Sequence, residues 1–366
     1  MKIFLFLLLA LLFLVSHTER AFASLEEIKL PRGFKIEVFA SGLSSPRFMA
    51  FSPDGVLFAT IINDGEVIAL PDKDNNGKAD RTVTFVEGLS TPHGIDFHKG
   101  YLYIGETNQI VRFKYHGLDS EPGEKEIVVP NLPTGGHATR TVRFGPDGRM
   151  YVSIGSSCNV CIEKDERRAA ILQFSPEGSG GKIFASGLRN SVGITWSPET
   201  KEMWATDNGR DWLGNDLPPE EINIVKQGGN YGWPYCYGDG IPDPKYGNPE
   251  FCTQTIRPAF KMQAHSAPLG LTFYTGKLFP PEYRGDLFVA FHGSWNRTDP
   301  TGYKVVRIKI KEGVPEQIED FASGWLQGLR AWGRPVDVIV GPDGSLYVSD
   351  DRGGIVYRIA IDKEAN

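Results

Sequence analysis

The sequence has no apolar run long enough to cross a bilayer. The run at its start, Ile3 to Val15, stops after about 13 residues, whereas a helix that spans the hydrocarbon needs about 20. It follows a single basic residue, Lys2, and leads to Ala21-Phe22-Ala23, a small-x-small pattern. Residues 1–23 are therefore expected to be a signal peptide, with the mature chain starting at Ser24 in the periplasm or outside the cell. No cysteine lies near that site, which argues against a lipid anchor there. Positive charge is also in short supply, with 39 Lys and Arg against 45 Asp and Glu and a formal net charge of −6. Loss of Lys2, Glu19 and Arg20 with the leader brings the mature chain to about −7, a balance that gives nucleic-acid binding no support. Long amphipathic helices are missing as well. Cys161 is followed by Ile162, so there is no CxxCH motif and no c-type haem attachment.

Cysteine is scarce, at four residues. Export permits disulfides, and the spacing favours Cys158 with Cys161 and Cys236 with Cys252, each pair stapling one excursion of the chain. A CxxC zinc half-site is the competing reading, and it lacks a second CxxC or paired histidines.

Glycine and proline are plentiful, at 42 and 25 residues, and they punctuate a repeat. FMAFSPDGVLFAT (48–60), GIDFHKGYLYIGE (94–106), VRFGPDGRMYVSIG (142–155), GITWSPETKEMWATD (193–207), GLTFYTGKLFPPEYRGDLFVAF (270–291) and VDVIVGPDGSLYVSD (336–350) each place a tight turn between two apolar strands. Alternation with period two buries one face of each strand, and Pro-Asp-Gly or a similar turn supplies the reversal. The anchors Phe51, Phe97, Phe144, Trp196, Phe273 and Val340 lie 46, 47, 52, 77 and 67 residues apart. Four-stranded blades recur at roughly 40–50 residues, so the last two intervals carry insertions. An all-β, six-bladed propeller of four-stranded antiparallel blades follows, formed as one domain over residues 24–366. A β-sandwich is the runner-up architecture.

Between the first two copies, DKDNNGKAD sets Asp72, Asp74, Asn76 and Asp80 around Gly77, with the Lys78 carbonyl also in position. This is the front half of a calcium loop. Val83 stands where the closing glutamate belongs, so the site is expected to be structural; a polar turn without an ion is the other reading.

Ligands in propellers bind where loops from several blades converge over the channel. The segments leading into the copies carry Arg47, His93, His137 with Arg140, Arg189 with Asn190, His265 and Arg334. Cations and imidazoles recurring at one blade position suit a polyanionic ligand, while solvated charges paired with nearby acids are the plainer explanation.

GGHATRTVRFGPDGRMYVSIG, SGLRNSVGITW and EEINIVKQGGNYGWP, in that order on successive blades, resemble the soluble quinoprotein glucose and sorbosone dehydrogenases. These are six-bladed propellers that use pyrroloquinoline quinone (PQQ) and calcium. The resemblance runs from about Leu30 to Ile361, and FHGSWNR (291–297) looks closer to the sorbosone-dehydrogenase-like branch.

The resemblance implies oxidation of an aldose or aldosone at its anomeric or aldehyde carbon, with hydride passing to the quinone and electrons to an external quinone or cytochrome. His137 matches the catalytic base, as suits a side chain that titrates near working pH. Arg189 and Asn190 match residues that contact the quinone, where a guanidinium stabilises developing negative charge. The carbonyls of Gly209 and Arg210 fall in register with those that hold Ca2+ beside PQQ, although Arg210 replaces a proline and the loop is longer. Arg297 and Arg334, with Arg140 as a third, are the cations expected at the PQQ carboxylates. His93, His265 and His292 are expected to line the sugar site, and Trp295 or Trp212 to stack on a ring face. A calcium-dependent lactonase and a non-catalytic glycan- or protein-binding propeller are the alternatives.

Overall fold

The computed structural model describes residues 25–362, so the leader assigned to residues 1–23 lies outside the described residues. Six four-stranded antiparallel sheets form the blades of a propeller. Their innermost strands are Pro46–Phe51, Ile95–His98, Arg140–Phe144, Ile194–Trp196, Pro268–Phe273 and Pro335–Val340, numbered here as blades 1 to 6. Each opens one of the six copies and touches the innermost strand of the next blade around the ring. The turns work as their composition demands: in blade 1 the Gly55 amide donates to the Ser52 carbonyl at 2.9 Å with Gly55 at φ 86°, a conformation that glycine adopts without strain.

The seams between blades explain a second recurrent glycine. Gly94, Gly193 and Gly270 open three copies, and a Cβ at any of them would run into the inner strand of the following blade. Side chains bridge seams of the ring as well. Thr60 donates to the His93 carbonyl at 2.8 Å, Thr206 to the Leu269 carbonyl at 2.9 Å, and Asp337 accepts from the Met49 amide at 2.9 Å.

The ring is closed by the start of the chain. The sixth copy supplies only Pro335–Val340, Leu346–Asp350 and Ile355–Ile361, and Phe34–Ser41 pairs antiparallel with the last of these as the fourth strand. Phe34 fastens the closure, with its ring 4.7 Å from Phe279 and 5.1 Å from both Tyr283 and Phe321.

Both disulfides pair as the spacing suggests, Cys158 with Cys161 and Cys236 with Cys252. The second staples an insertion between the third and fourth strands of blade 4, which accounts for the 77-residue interval. No helix among the described residues is long and apolar enough to cross a membrane.

Candidate active site

On one rim of the channel, loops of blades 3, 4 and 5 enclose a cavity lined by His137, Arg189, Asn190, Asn208, Gly209, Asp211, Glu220, His265, Ala267, Trp295 and Asn296. Its atom-free space, including the mouth, is about 520 Å³, within the range of small-molecule sites.

His137 is set up as a base. Its Nδ1 lies 2.9 Å from the Ser156 carbonyl, which can only accept, so Nδ1 carries the proton. The Ser156 hydroxyl donates to the Cys158 carbonyl at 2.6 Å and therefore accepts from the same Nδ1–H at 3.1 Å. Nε2 is left with its lone pair and no partner among the described residues. Burial, reinforced by the charge of Arg189, depresses the imidazole to about 4, so it is neutral at working pH.

Gly155 makes room for this arrangement. A Cβ there would collide with the Asn190 side-chain oxygen and with the His137 Cβ. Gly155→Ala is expected to displace both side chains and to lower turnover of the loaded protein by about tenfold, since misplacement of an ångström can cost 10²-fold. Thermal unfolding close to that of the unaltered chain would show that the loss is local.

Arg189 is held on every side. Its Nε donates to the Asn159 carbonyl at 2.9 Å, Nη1 to the Asn208 carbonyl at 3.1 Å, and Nη2 to the Asn159 side-chain oxygen at 3.1 Å and to Asp211 at 3.3 Å. Asn159 sits inside the Cys158–Cys161 loop, so that disulfide shapes the clamp on the arginine. Asn159 also accepts from the Asp211 amide at 2.7 Å and donates to the Asp211 carbonyl at 3.1 Å.

Asp207 closes the second strand of blade 4 and fixes the segment before the first. Its carboxylate accepts from the amides of Arg189 at 3.0 Å and Asn190 at 2.7 Å. The device recurs: Asp350 accepts from the Arg334 amide at 2.7 Å, and Glu106 from the Ser90 amide at 2.5 Å. Glu220 joins the loops of blades 4 and 5 by accepting from the Gly209 amide at 2.8 Å and the Ala267 amide at 3.2 Å. Burial raises both Asp207 and Glu220 to about 7. Around the same cavity His265, Ala267 and Trp212 hold φ values of 64°, 53° and 71°, the kind of strained backbone that clusters at functional sites.

The family model described as TrAA12-like matches residues 28–362. The chain belongs to the TrAA12-like family. An uncharacterised protein of Borreliella burgdorferi is 32% identical to it over 98% of this chain and 97% of its own length. A pyrroloquinoline quinone-dependent pyranose dehydrogenase of Coprinopsis cinerea is 25% identical over 91% of this chain, which spans 54%, about half, of that enzyme. The calcium structure of the Trichoderma reesei family AA12 carbohydrate-active enzyme matches in fold, with a TM-score of 0.80 and 23% identity over 92% of this chain and 97% of its own. The resemblance read from the sequence thus holds at the level of the family.

This TrAA12-like chain gathers His137, Arg189, Asn190, Gly209, His265 and Trp295 in one cavity and places the other expected residues elsewhere. Arg140 is fully buried and gives its guanidinium to the carbonyls of Pro133, His137 and Thr139, bracing the His137 loop instead of facing a ligand. Arg297 is spent on the carbonyls of Asn215, Asp299 and Ala264. His93 is fully buried against Phe48, with Nε2 3.3 Å from Arg47, and so lines no sugar site.

His292 and Arg47 both bind Asp351, at 2.9 and 2.6 Å. Although burial opposes its charge, these partners hold the Asp351 carboxyl at about 2. Arg334 donates to the carbonyls of His292 and Gly293 at 2.9 and 3.0 Å and keeps Nη1 free of partners among the described residues. Arg210 turns its side chain away to Asp243 at 2.7 Å, and the insertion that carries Asp243 contributes nothing to the cavity lining.

In the polar loop of blade 1, one carboxylate oxygen each of Asp72, Asp74 and Asp80 lies within 4.8 Å of the others. Asp72 accepts from the Asn76 amide at 3.0 Å and from the Gly77 amide at 2.9 Å, and Asn76 accepts from the Lys78 amide at 2.9 Å.

Proposed function

We propose that the chain is an exported PQQ-dependent sugar dehydrogenase that oxidises an aldose or aldosone and passes the electrons to an external quinone or cytochrome. The observation that carries this is His137, whose proton-bearing Nδ1 is pinned to Ser156 while the free Nε2 shares a cavity with Arg189 and Asn190.

The residues present fit the cofactor's polar edge. The Asn190 side chain has no hydrogen bond within the described chain, and the buried Asn296 side-chain oxygen has no partner there either. Asn190 and the remaining N–H of Arg189 Nη1 would hold quinone and carboxylate oxygens. Arg334 Nη1 is the further cation available at the same rim. The carbonyls of Gly209 and Arg210 accept no hydrogen bond among the described residues and would hold calcium beside the cofactor. When bound, PQQ would supply the acceptor for the hydride of the carbon being oxidised. His137 Nε2 would take the proton of the sugar hydroxyl on that carbon, and its neutral state down to about pH 4 keeps the lone pair available.

Asp211 and Glu220 also line the cavity, and carboxylates there would suit a lactonase ion. Their oxygens are already engaged by Arg189, Asn296 and the amides of Gly209 and Ala267. That engagement favours the quinone reading.

The depressed imidazole sets the pH profile. Because the base must be unprotonated, His137 should limit kcat/KM only below about pH 4, where the rate falls tenfold per pH unit, whereas an inflection near 7 belongs to Asp207 and Glu220. Steady-state dye reduction measured from pH 3.5 to 8 tests this, and an acid limb centred near 6.5 that persists in Glu220→Gln and Asp207→Asn would count against His137 in its observed setting. The reading as a whole is tested by supplying PQQ, with and without calcium, to protein produced without it and assaying an aldose panel.

A further inference from the structure

Two indoles stand in water beside the cavity. Trp212 is 67% exposed and Trp295 66% exposed, and their rings meet edge to face at 5.2 Å and 88°. A single exposed apolar side chain needs no explanation, but these two touch, and one of them forms part of the cavity wall.

Their loops are stapled together. Asn296 donates to Asp211 at 2.9 Å, the Thr298 amide to the Asn215 side chain at 3.2 Å, and Arg297 to the Asn215 carbonyl. Arg297, which the sequence suggested for cofactor carboxylates, thus serves to fix this corner. Trp212 itself is held at φ 71°, a strained conformation for a bulky residue. A rigid, strained, solvent-facing pair continuous with a cavity marks a ligand surface.

We infer that Trp212 and Trp295 form an outer subsite for the second ring of an oligosaccharide whose reducing end lies in the cavity. The inference rests on the sugar-oxidising reading of that cavity. A pyranose offers an apolar CH face to an indole and hydroxyls to the surrounding amides. Trp295 lines the cavity, whereas Trp212 is not among its lining residues and sets its ring 5.2 Å from that of Trp295. The substrate class is therefore a short glycan chain.

Isothermal titration of the full PQQ-free chain with maltotriose, cellotriose and glucose tests the subsite without relying on activity. At least one trisaccharide should bind tenfold or more tighter than glucose. Trp212→Gly, which suits the backbone at φ 71°, should erase that advantage, and Trp212→Phe should retain part of it. No trisaccharide advantage in the unaltered chain, or an advantage that survives Trp212→Gly, overturns the proposal. A pair that serves only to dock a redox protein would give that result, with Trp212→Gly slowing protein acceptors but not dye. Glucose-driven dye reduction with added PQQ is measured in parallel. Its failure alongside Trp212-dependent trisaccharide binding would sink the dehydrogenase reading and leave the glycan site, whereas dye reduction without any trisaccharide advantage would remove the subsite alone.

Discussion

His137→Ala is expected to cut sugar-driven dye reduction by about 10²–10⁴-fold, the contribution of a positioned general base, while leaving PQQ affinity within a few-fold of its original value. The split follows from geometry. His137 donates through Nδ1 to Ser156 and keeps only Nε2 for the cavity, so its removal takes away a proton acceptor and little binding surface. The loop around it should persist, because Arg140 braces that loop through the carbonyls of Pro133, His137 and Thr139. Single-turnover reduction of the loaded protein, read alongside PQQ titration, separates the two effects. Retention of most of the turnover would mean that another group takes the proton.

Arg189→Ala should damage both binding and turnover, with turnover down by about 10²–10³-fold, the scale for losing an electrostatic donor aimed at developing charge. Arg189 is 5% exposed, and its guanidinium stands among Asp207, Asp211 and Glu220. Without it Asp211 loses its ion pair, and the acids already raised to about 7, Asp207 and Glu220, would rise further and hold protons at neutral pH. Breaking a buried pair by removing one partner costs about 3–5 kcal/mol, so thermal unfolding should move down as well. Arg189→Lys keeps the charge but loses the four-way clamp to Asn159, Asn208 and Asp211. It should recover stability better than affinity, which PQQ titration of both variants would read.

The propeller was legible because its period is written in turns. Each reversal, Pro-Asp-Gly in three copies and a similar turn in the others, is local, and six copies of one local pattern admit few closed arrangements. Ring closure by Phe34–Ser41 was not anticipated, yet the sequence carries its sign: the last copy runs out after three strands, and one unclaimed apolar stretch precedes the first copy. His137, Arg189 and Asn190 stood out because they lie in contiguous motifs, and the structure places all three around one cavity. Arg140 and Arg297 were misjudged for a physical reason. Charge and position in the sequence do not reveal whether a guanidinium meets solvent or the backbone carbonyls of its own loop, and both residues meet carbonyls.

His93 was misplaced in the same way, since the segment that leads into an inner strand can face the rim or pack beneath it, and this histidine packs on Phe48. Asn159 and Asp211 escaped notice because their roles exist only across loops far apart in the chain. Asp207 was more accessible to sequence reasoning. Glu106, Asp207 and Asp350 each end the second strand of a copy with an acid, and each holds a backbone amide of the segment that leads into the first strand. That recurrence was available in the repeat itself.

The most direct test takes the chain from Ser24, produced without PQQ, and titrates it with PQQ in the presence and absence of calcium while following absorbance, for the unaltered protein and for His137→Ala, with an aldose added at saturation. Both proteins are expected to bind PQQ, calcium to tighten binding, and sugar to bleach the quinone spectrum rapidly only where His137 is present. Failure of the unaltered protein to bind PQQ, or equally fast bleaching by His137→Ala, would contradict that expectation.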